Sequence, residues 1–182
     1  MLIIVLVAGI ATSTFGQGFT PPKEGNAVVY FTRHTAMGFA ISFDYFDSAT
    51  YIGQSAGRNY LRYECQPGRH LFWASSENKA FVTADLEANQ TYVVIVDVLM
   101  GIGVARVGLT PIDAQHKLFP KAKQLILKKA PDFQDPEFLA KENARLSKFI
   151  REKLAKYESD WKSSLDVRHI GPEMGIPPEK AI

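Results

Sequence analysis

The chain has 182 residues, of which 46% are hydrophobic and 22% charged, with a formal net charge of +2. That length suits one core with an appendage rather than two equal domains, and the composition excludes a disordered or wholly membrane-embedded chain. The near-neutral, mixed charge lacks the concentrated basic field that nucleic-acid binding requires, so nucleic acid is excluded as an expected partner.

Leu2 to Ala11 is an almost unbroken apolar run, followed by Thr12, Ser13 and Thr14 and then by Gly16-Gln17. This is the layout of a secretory signal peptide cleaved near Gly16, and it predicts an exported protein, periplasmic or extracellular. The run is about half the ~20 residues of a spanning helix, so no membrane span is expected. No Lys or Arg precedes it, the one departure from that layout. Cys65 is the single cysteine, which excludes an intramolecular disulfide and a lipid-bearing cysteine at the cleavage site. Its place in the alternation Leu61, Tyr63, Cys65 makes it a small buried hydrophobe. The expected division is a signal peptide at 1–16, a linker at 17–25, a β-sandwich domain at 26–112, a helical C-terminal extension at 113–165 and a flexible tail at 166–182.

Pro21-Pro22 cannot join a central strand, and β-type patterning begins at Asn26. Ala27 to Arg33 is the first strand. In the second, Phe39 to Phe46, the residues Phe39, Ile41, Phe43 and Tyr45 alternate with Ala40, Ser42 and Asp44, which predicts one core face and one solvent face. Further strands are predicted at Thr50–Gln54, Asn59–Cys65, His70–Ser75, Phe81–Glu87, Thr91–Val98 and Val104–Leu109. Pro67-Gly68 between the fourth and fifth has the residues of a type II turn, with Gly68 supplying positive φ. Short strands at roughly ten-residue spacing predict a mainly β chain, an antiparallel sandwich of seven to eight strands with Phe39, Ile41, Phe43, Leu61, Tyr63, Val94 and Val96 in its core.

Ala27 through Arg33, Tyr51-Ile52-Gly53-Gln54, Tyr63 through Leu71 and Leu86 through Val93 follow one another in an order that resembles the bacterial domain of unknown function 2846. The resemblance covers about Asn26 to Ile112. It implies a small exported or lipid-anchored β-sandwich similar in build to PEGA-type modules. It implies no activity and no functional residues, and this chain lacks the acceptor cysteine of the lipid-anchored members.

After Pro111 the period changes. Pro120 to Lys129 predicts a short helix with five lysines on or near it (Lys117, Lys121, Lys123, Lys128, Lys129). Asp135-Pro136-Glu137 is a helix start: an N-cap acceptor, proline at the first helical position and an acid in the first turn. Leu139, Leu146, Ile150, Leu154, Tyr157, Trp161 and Leu165 then predict one long C-terminal amphipathic helix of about thirty residues. Glu137/Lys141, Glu152/Lys156 and Glu158/Lys162 are spaced for pairing on its polar face. The stripe either docks on the sandwich or pairs with another chain, including a second copy; a membrane-surface helix is the third reading, against which the acids interleaved with its lysines weigh.

The four histidines have no metal-ligand spacing, and there is no Gly-x-Ser-x-Gly elbow and no phosphate loop. No catalytic residue, cofactor-binding residue or metal ligand is assigned. The partner-binding candidates are Arg58, Tyr60 and Arg62 on the outward face of one strand, with Tyr157 and Trp161 on the helix stripe. The function expected is a non-catalytic exported cell-envelope binding or assembly module, whose partner is an envelope protein or glycan. The alternative is a hydrolase with an unrecognised active site.

Overall fold

The computed structural model describes residues 18–100 and 105–182. The expected signal peptide lies outside the described residues, as do residues 101–104. Nine strands are described: β1 Ala27–Thr32, β2 Ser42–Asp47, β3 Thr50–Ala56, β4 Tyr60–Cys65, β5 Gly68–Ser75, β6 Lys79–Leu86, β7 Thr91–Met100, β8 Ala105–Ile112 and β9 Arg168–Ile170. They form a four-stranded sheet, β4-β1-β7-β8, and a five-stranded sheet, β3-β2-β5-β6-β9. Helix α1, Phe119–Lys128, and helix α2, Pro136–Lys156, follow β8.

Both sheets are mixed, which corrects the antiparallel expectation. β1 runs parallel to β7, with Val28 beside Thr91 and Thr32 beside Ile95, and β6 runs parallel to β9. A parallel pair needs a long crossover, and between β1 and β7 the chain passes through β2, β3, β5 and β6 of the other sheet and β4 of the same one. Pro67-Gly68 links β4 to β5, as its residues predict, but it carries the chain from one sheet to the other; Gly68 has φ +117°.

Alternation sorts each strand's side chains between two layers. Val29, Phe31, Val94 and Val96 of one sheet meet Phe43, Tyr45, Phe72 and Val82 of the other in the central core. The opposite faces are also dry. Val28, Tyr30, Tyr60, Val93 and Ile95 lie under Phe119, Ala122, Leu125 and Ile126 of α1. On the five-stranded sheet Phe46, Tyr51, Trp73 and Phe81 lie under Ile150 and Tyr157. Phe46 stacks on Trp73 at 3.8 Å between ring centroids, and Phe81 stacks on Tyr157 at 4.5 Å. The layers therefore run helix, sheet, sheet, helix, and β1 is buried at all six positions because it lies between covered faces.

Three expectations need correction. The single thirty-residue α-helix is absent: α2 has 21 residues, a π-helical turn at Tyr157–Trp161 interrupts the α geometry, and this run ends at Ser164. The widened turn seats both Tyr157 and Trp161 against Phe81, after which the chain reverses and pairs β9 with β6. Residues 166–182 are consequently not a loose tail, since Ile170 and Ile176 are buried and the Ile176 N–H donates to Thr91 O at 2.7 Å. Nor is 17–25 a free linker over its described part: Phe19 packs 5.0 Å from Tyr30, and Lys23 N donates to Glu64 Oε1 at 3.0 Å.

Phe39, expected in the core, is 75% exposed. Arg33 explains this. Its side chain is fully buried and donates to Ile41 O at 2.6 Å, Met37 O at 2.7 Å and Gly38 O at 2.6 Å. A buried guanidinium needs acceptors, so the loop curls round it; Gly38 turns with φ +63°, Phe39 is directed to solvent, and β2 begins only at Ser42.

Candidate functional site

The polar groups of the sandwich fall into a sealed cluster and an open one. In the sealed cluster Asp47 of β2 accepts from His70 Nδ1 at 2.7 Å and from the Tyr63 hydroxyl at 3.2 Å, and Cys65 lies alongside, buried. His70 Nε2 faces Gln66 O at 2.9 Å. Both ring nitrogens thus face acceptor oxygens, an arrangement that only the imidazolium satisfies, since the neutral ring has one N–H. The hydrogen bond to Asp47 leads in raising the His70 pKa, pushed up to about 10 against the opposing effect of burial. Cysteine, histidine and aspartate side by side have the composition of a nucleophile, base and orienter. Here the base already carries its proton on both nitrogens, and its ring lies flat on Phe72 at 5.2 Å. The cluster ties β4 of one sheet to β2 and β5 of the other.

One edge of each sheet, β8 and β3, is bridged by side-chain amides. Asn78 donates from Nδ2 to Val107 O at 2.9 Å and accepts from Val107 N at 2.7 Å on β8. On β3 the Asn143 amide makes the same two-way bond with Tyr51, at 2.8 and 2.9 Å, and Gln134 does so with Gln54, at 3.1 and 2.9 Å. Each amide replaces one residue of a neighbouring strand and leaves that point of the edge unable to recruit a foreign one.

The open cluster lies beside β3, where the connection between α1 and α2 crosses the sheet edge. Asp132 accepts from the Ser55 hydroxyl at 2.5 Å and from Asn59 Nδ2, while its own N–H donates to Tyr60 O at 2.9 Å. With Gln134 fixed on Gln54 and Asp135 accepting from Phe138 N at 2.8 Å as the cap of α2, residues 132–135 are anchored at both ends. Phe133, between these anchors, is 72% exposed. On one side of it is a hollow of about 550 Å³ lined by Ser42, Gln54, Ser55, Asp135 and Phe138 among others. On the other is a smaller one, about 280 Å³, bordered by Arg62, Ala130 and Pro131.

The partner-binding candidates read from the sequence do not form one surface. Tyr60 is buried beneath α1 and donates its hydroxyl proton to Lys129 O at 2.9 Å. Arg62 is held by Glu64 at 3.1 Å and by Thr20 O and Pro21 O, so it fastens the N-terminal segment. Burial alone would raise the Glu64 carboxyl, but hydrogen bonds from Asn26, Lys23 N and Arg62 hold it below its ordinary value. Tyr157 and Trp161 are packed on Phe81, and of the five only Arg58 is freely exposed. The outward strand face at Tyr60 is roofed by α1, so that side chain is not open to a partner. Phe133 was missed; its signal, a lone aromatic between Pro131 and the Asp135-Pro136 helix start, lies outside any periodic run. No helix among the described residues is long and apolar enough to cross a membrane. No protein-family model, curated protein or solved structure matches the chain.

Proposed function

We propose that the protein is a non-catalytic binding or assembly module of the cell envelope that engages its partner through the Phe133 ridge. The observation that carries this reading is the contrast between rigidity and exposure at residues 132–135. A segment anchored on Ser55, Asn59 and Gln54 holds a phenylalanine in water, where burial would be worth about 1.5–3 kcal/mol. An aromatic fixed in place before binding loses little entropy on contact, which is the property of an interface anchor. Phe138 and the polar groups of Ser42, Gln54 and Asp135 surround the larger hollow and supply directional bonds beside the apolar ridge. Export rests on the apolar run Leu2 to Ala11, and the ordered motifs that resemble domain of unknown function 2846 agree with it. The hydrolase alternative has less support, because both ring nitrogens of His70 are taken up by Asp47 and Gln66 O and neither is free to take a proton from the Cys65 thiol.

The test is co-sedimentation of the purified full chain with the host's envelope fraction, for the parent and for Phe133→Ala with Phe138→Ala. The expected result is retained melting temperature with at least about tenfold weaker binding, a loss of roughly 1.4 kcal/mol. Unchanged binding by the double variant removes the ridge from the account.

A further inference from the structure

The face of α1 turned away from the sandwich is basic and carries no acid. Lys117, Lys121, Lys123, Lys128 and Lys129 lie on or beside this helix, and no Asp or Glu occurs between Asp113 and Asp132. Taking the five away leaves 16 basic against 19 acidic residues, a net −3, so these lysines turn a slightly acidic chain into a slightly basic one. The buried residues Phe119, Ala122, Leu125 and Ile126 fix the rotation of the helix on the sheet. With that side down, Lys121, Gln124, Leu127 and Lys128 are exposed, and Lys121 and Lys128, seven residues apart, lie two turns apart on one side.

These charges are unpaired. Among the described residues none of the five lysines forms an ion pair, whereas α2 and the turn after it pair Arg145 with Glu142, Lys148 with Glu152 and Lys162 with Glu158. Exposed Arg58 adjoins this basic segment, since Lys129 Nζ donates to its carbonyl at 2.5 Å; nearby, burial lowers the His34 pKa, with smaller opposed effects of Asp97, which raises it, and of Lys121 and Arg58, which lower it. The back of a helix offers no enclosure for a small ligand. The cations on α1 are lysines, point charges without the guanidinium fork suited to discrete phosphates, and Leu127, 39% exposed, lies among them. Lysines around an apolar side chain suit a diffuse anionic layer with an apolar interior beneath it.

We propose that the outer face of α1 is a docking surface for a bilayer carrying anionic headgroups, with Lys121 and Lys128 as its main contacts. This surface is separate from the Phe133 ridge, and its test does not depend on that ridge. The full chain is mixed with vesicles of equal parts phosphatidylglycerol and phosphatidylcholine, and with vesicles of phosphatidylcholine alone, and the bound fraction is measured by sedimentation. The neutral vesicles report any binding by the apolar residues Leu2 to Ala11, which every variant retains. The expected result is binding to the anionic vesicles in excess of the neutral ones, falling as salt is raised. Lys121→Gln with Lys128→Gln should weaken that excess roughly twenty-five-fold at unchanged melting temperature, at about fivefold for each lysine. Lys148→Gln with Lys162→Gln, on the ion-paired helical region, should leave it unchanged. Equal binding to both vesicle types, or an equal loss in the two double variants, overturns the proposal. So does binding to heparin without binding to anionic vesicles, which assigns the face to a soluble polyanion instead.

Discussion

The two outer faces of the sandwich are covered by the same device, an amphipathic helix laid on aromatic side chains, and they differ in what the cover shows to solvent. On the five-stranded sheet, α2 and its π turn bury Ile150 and Tyr157 on Phe46, Trp73 and Phe81, and their polar side is laced with ion pairs. On the four-stranded sheet, α1 buries Phe119 and Ile126 on Tyr30 and Ile95 and turns unpaired lysines outward. The difference teaches that an apolar stripe, by itself, identifies a packing surface. Function is sought where a side chain is held in place without being satisfied, and the connection between the two helices meets that description at Phe133.

The strongest way to break this comparison is to open the α2 side. Trp73→Ala leaves a cavity beneath the helix and should cost about 3–5 kcal/mol in chemical denaturation, since Trp73 is fully buried between Phe46 and Phe81. A loss under about 1 kcal/mol would mean that the helix does not seal this face in solution.

The sealed polar cluster sharpens the comparison through pH. Folded His70 keeps its proton up to about 10, against 6.5 for the ordinary imidazole. The raised value means that its contribution is complete below pH 6.5 and is lost as pH rises towards 10. Stability measured by urea unfolding should therefore decline across that interval, and Asp47→Asn should flatten the decline while costing about 1–3 kcal/mol at pH 6. A parent profile as flat as the variant's would contradict the imidazolium assignment.

A smaller effect separates docking within the chain from pairing between chains. Trp161→Ala should lower stability by about 1–2 kcal/mol, because the ring is only partly buried, and by the same amount at every protein concentration. Concentration-dependent melting would transfer the stripe to an intermolecular contact. Smallest is the edge amide: Asn143→Ala should cost about 1 kcal/mol and increase self-association through the Tyr51 backbone, read by light scattering.

Strand positions and the start of α2 were legible in the sequence because their causes are local. Alternation set Phe43 and Tyr45 against Ser42 and Asp44, and Asp135 caps the helix through Phe138 N as the Asp-Pro-Glu signal predicts. Strand partners were not legible, since the β1–β7 pairing depends on where the chain crosses between sheets. Alternation also tells which face a residue occupies without telling whether that face meets water, which is why Tyr60 and Arg62 were misplaced. Phe39 failed for another reason: a buried Arg33 took the carbonyls that would have continued the strand. The Phe133 ridge left little trace, because its rigidity comes from Ser55, Asn59 and Gln54, far away in sequence.

The most direct test of the central claim is photo-crosslinking with a benzoylphenylalanine placed at position 133 or, separately, at position 161, each in the full chain mixed with host envelope extract. The account predicts a discrete adduct from position 133, competed away by unlabelled parent protein, and none from position 161, whose side chain packs on Phe81. An adduct from position 161 with none from position 133 would contradict it, because the binding surface would then be the helix stripe and the exposed phenylalanine would have no role in recognition.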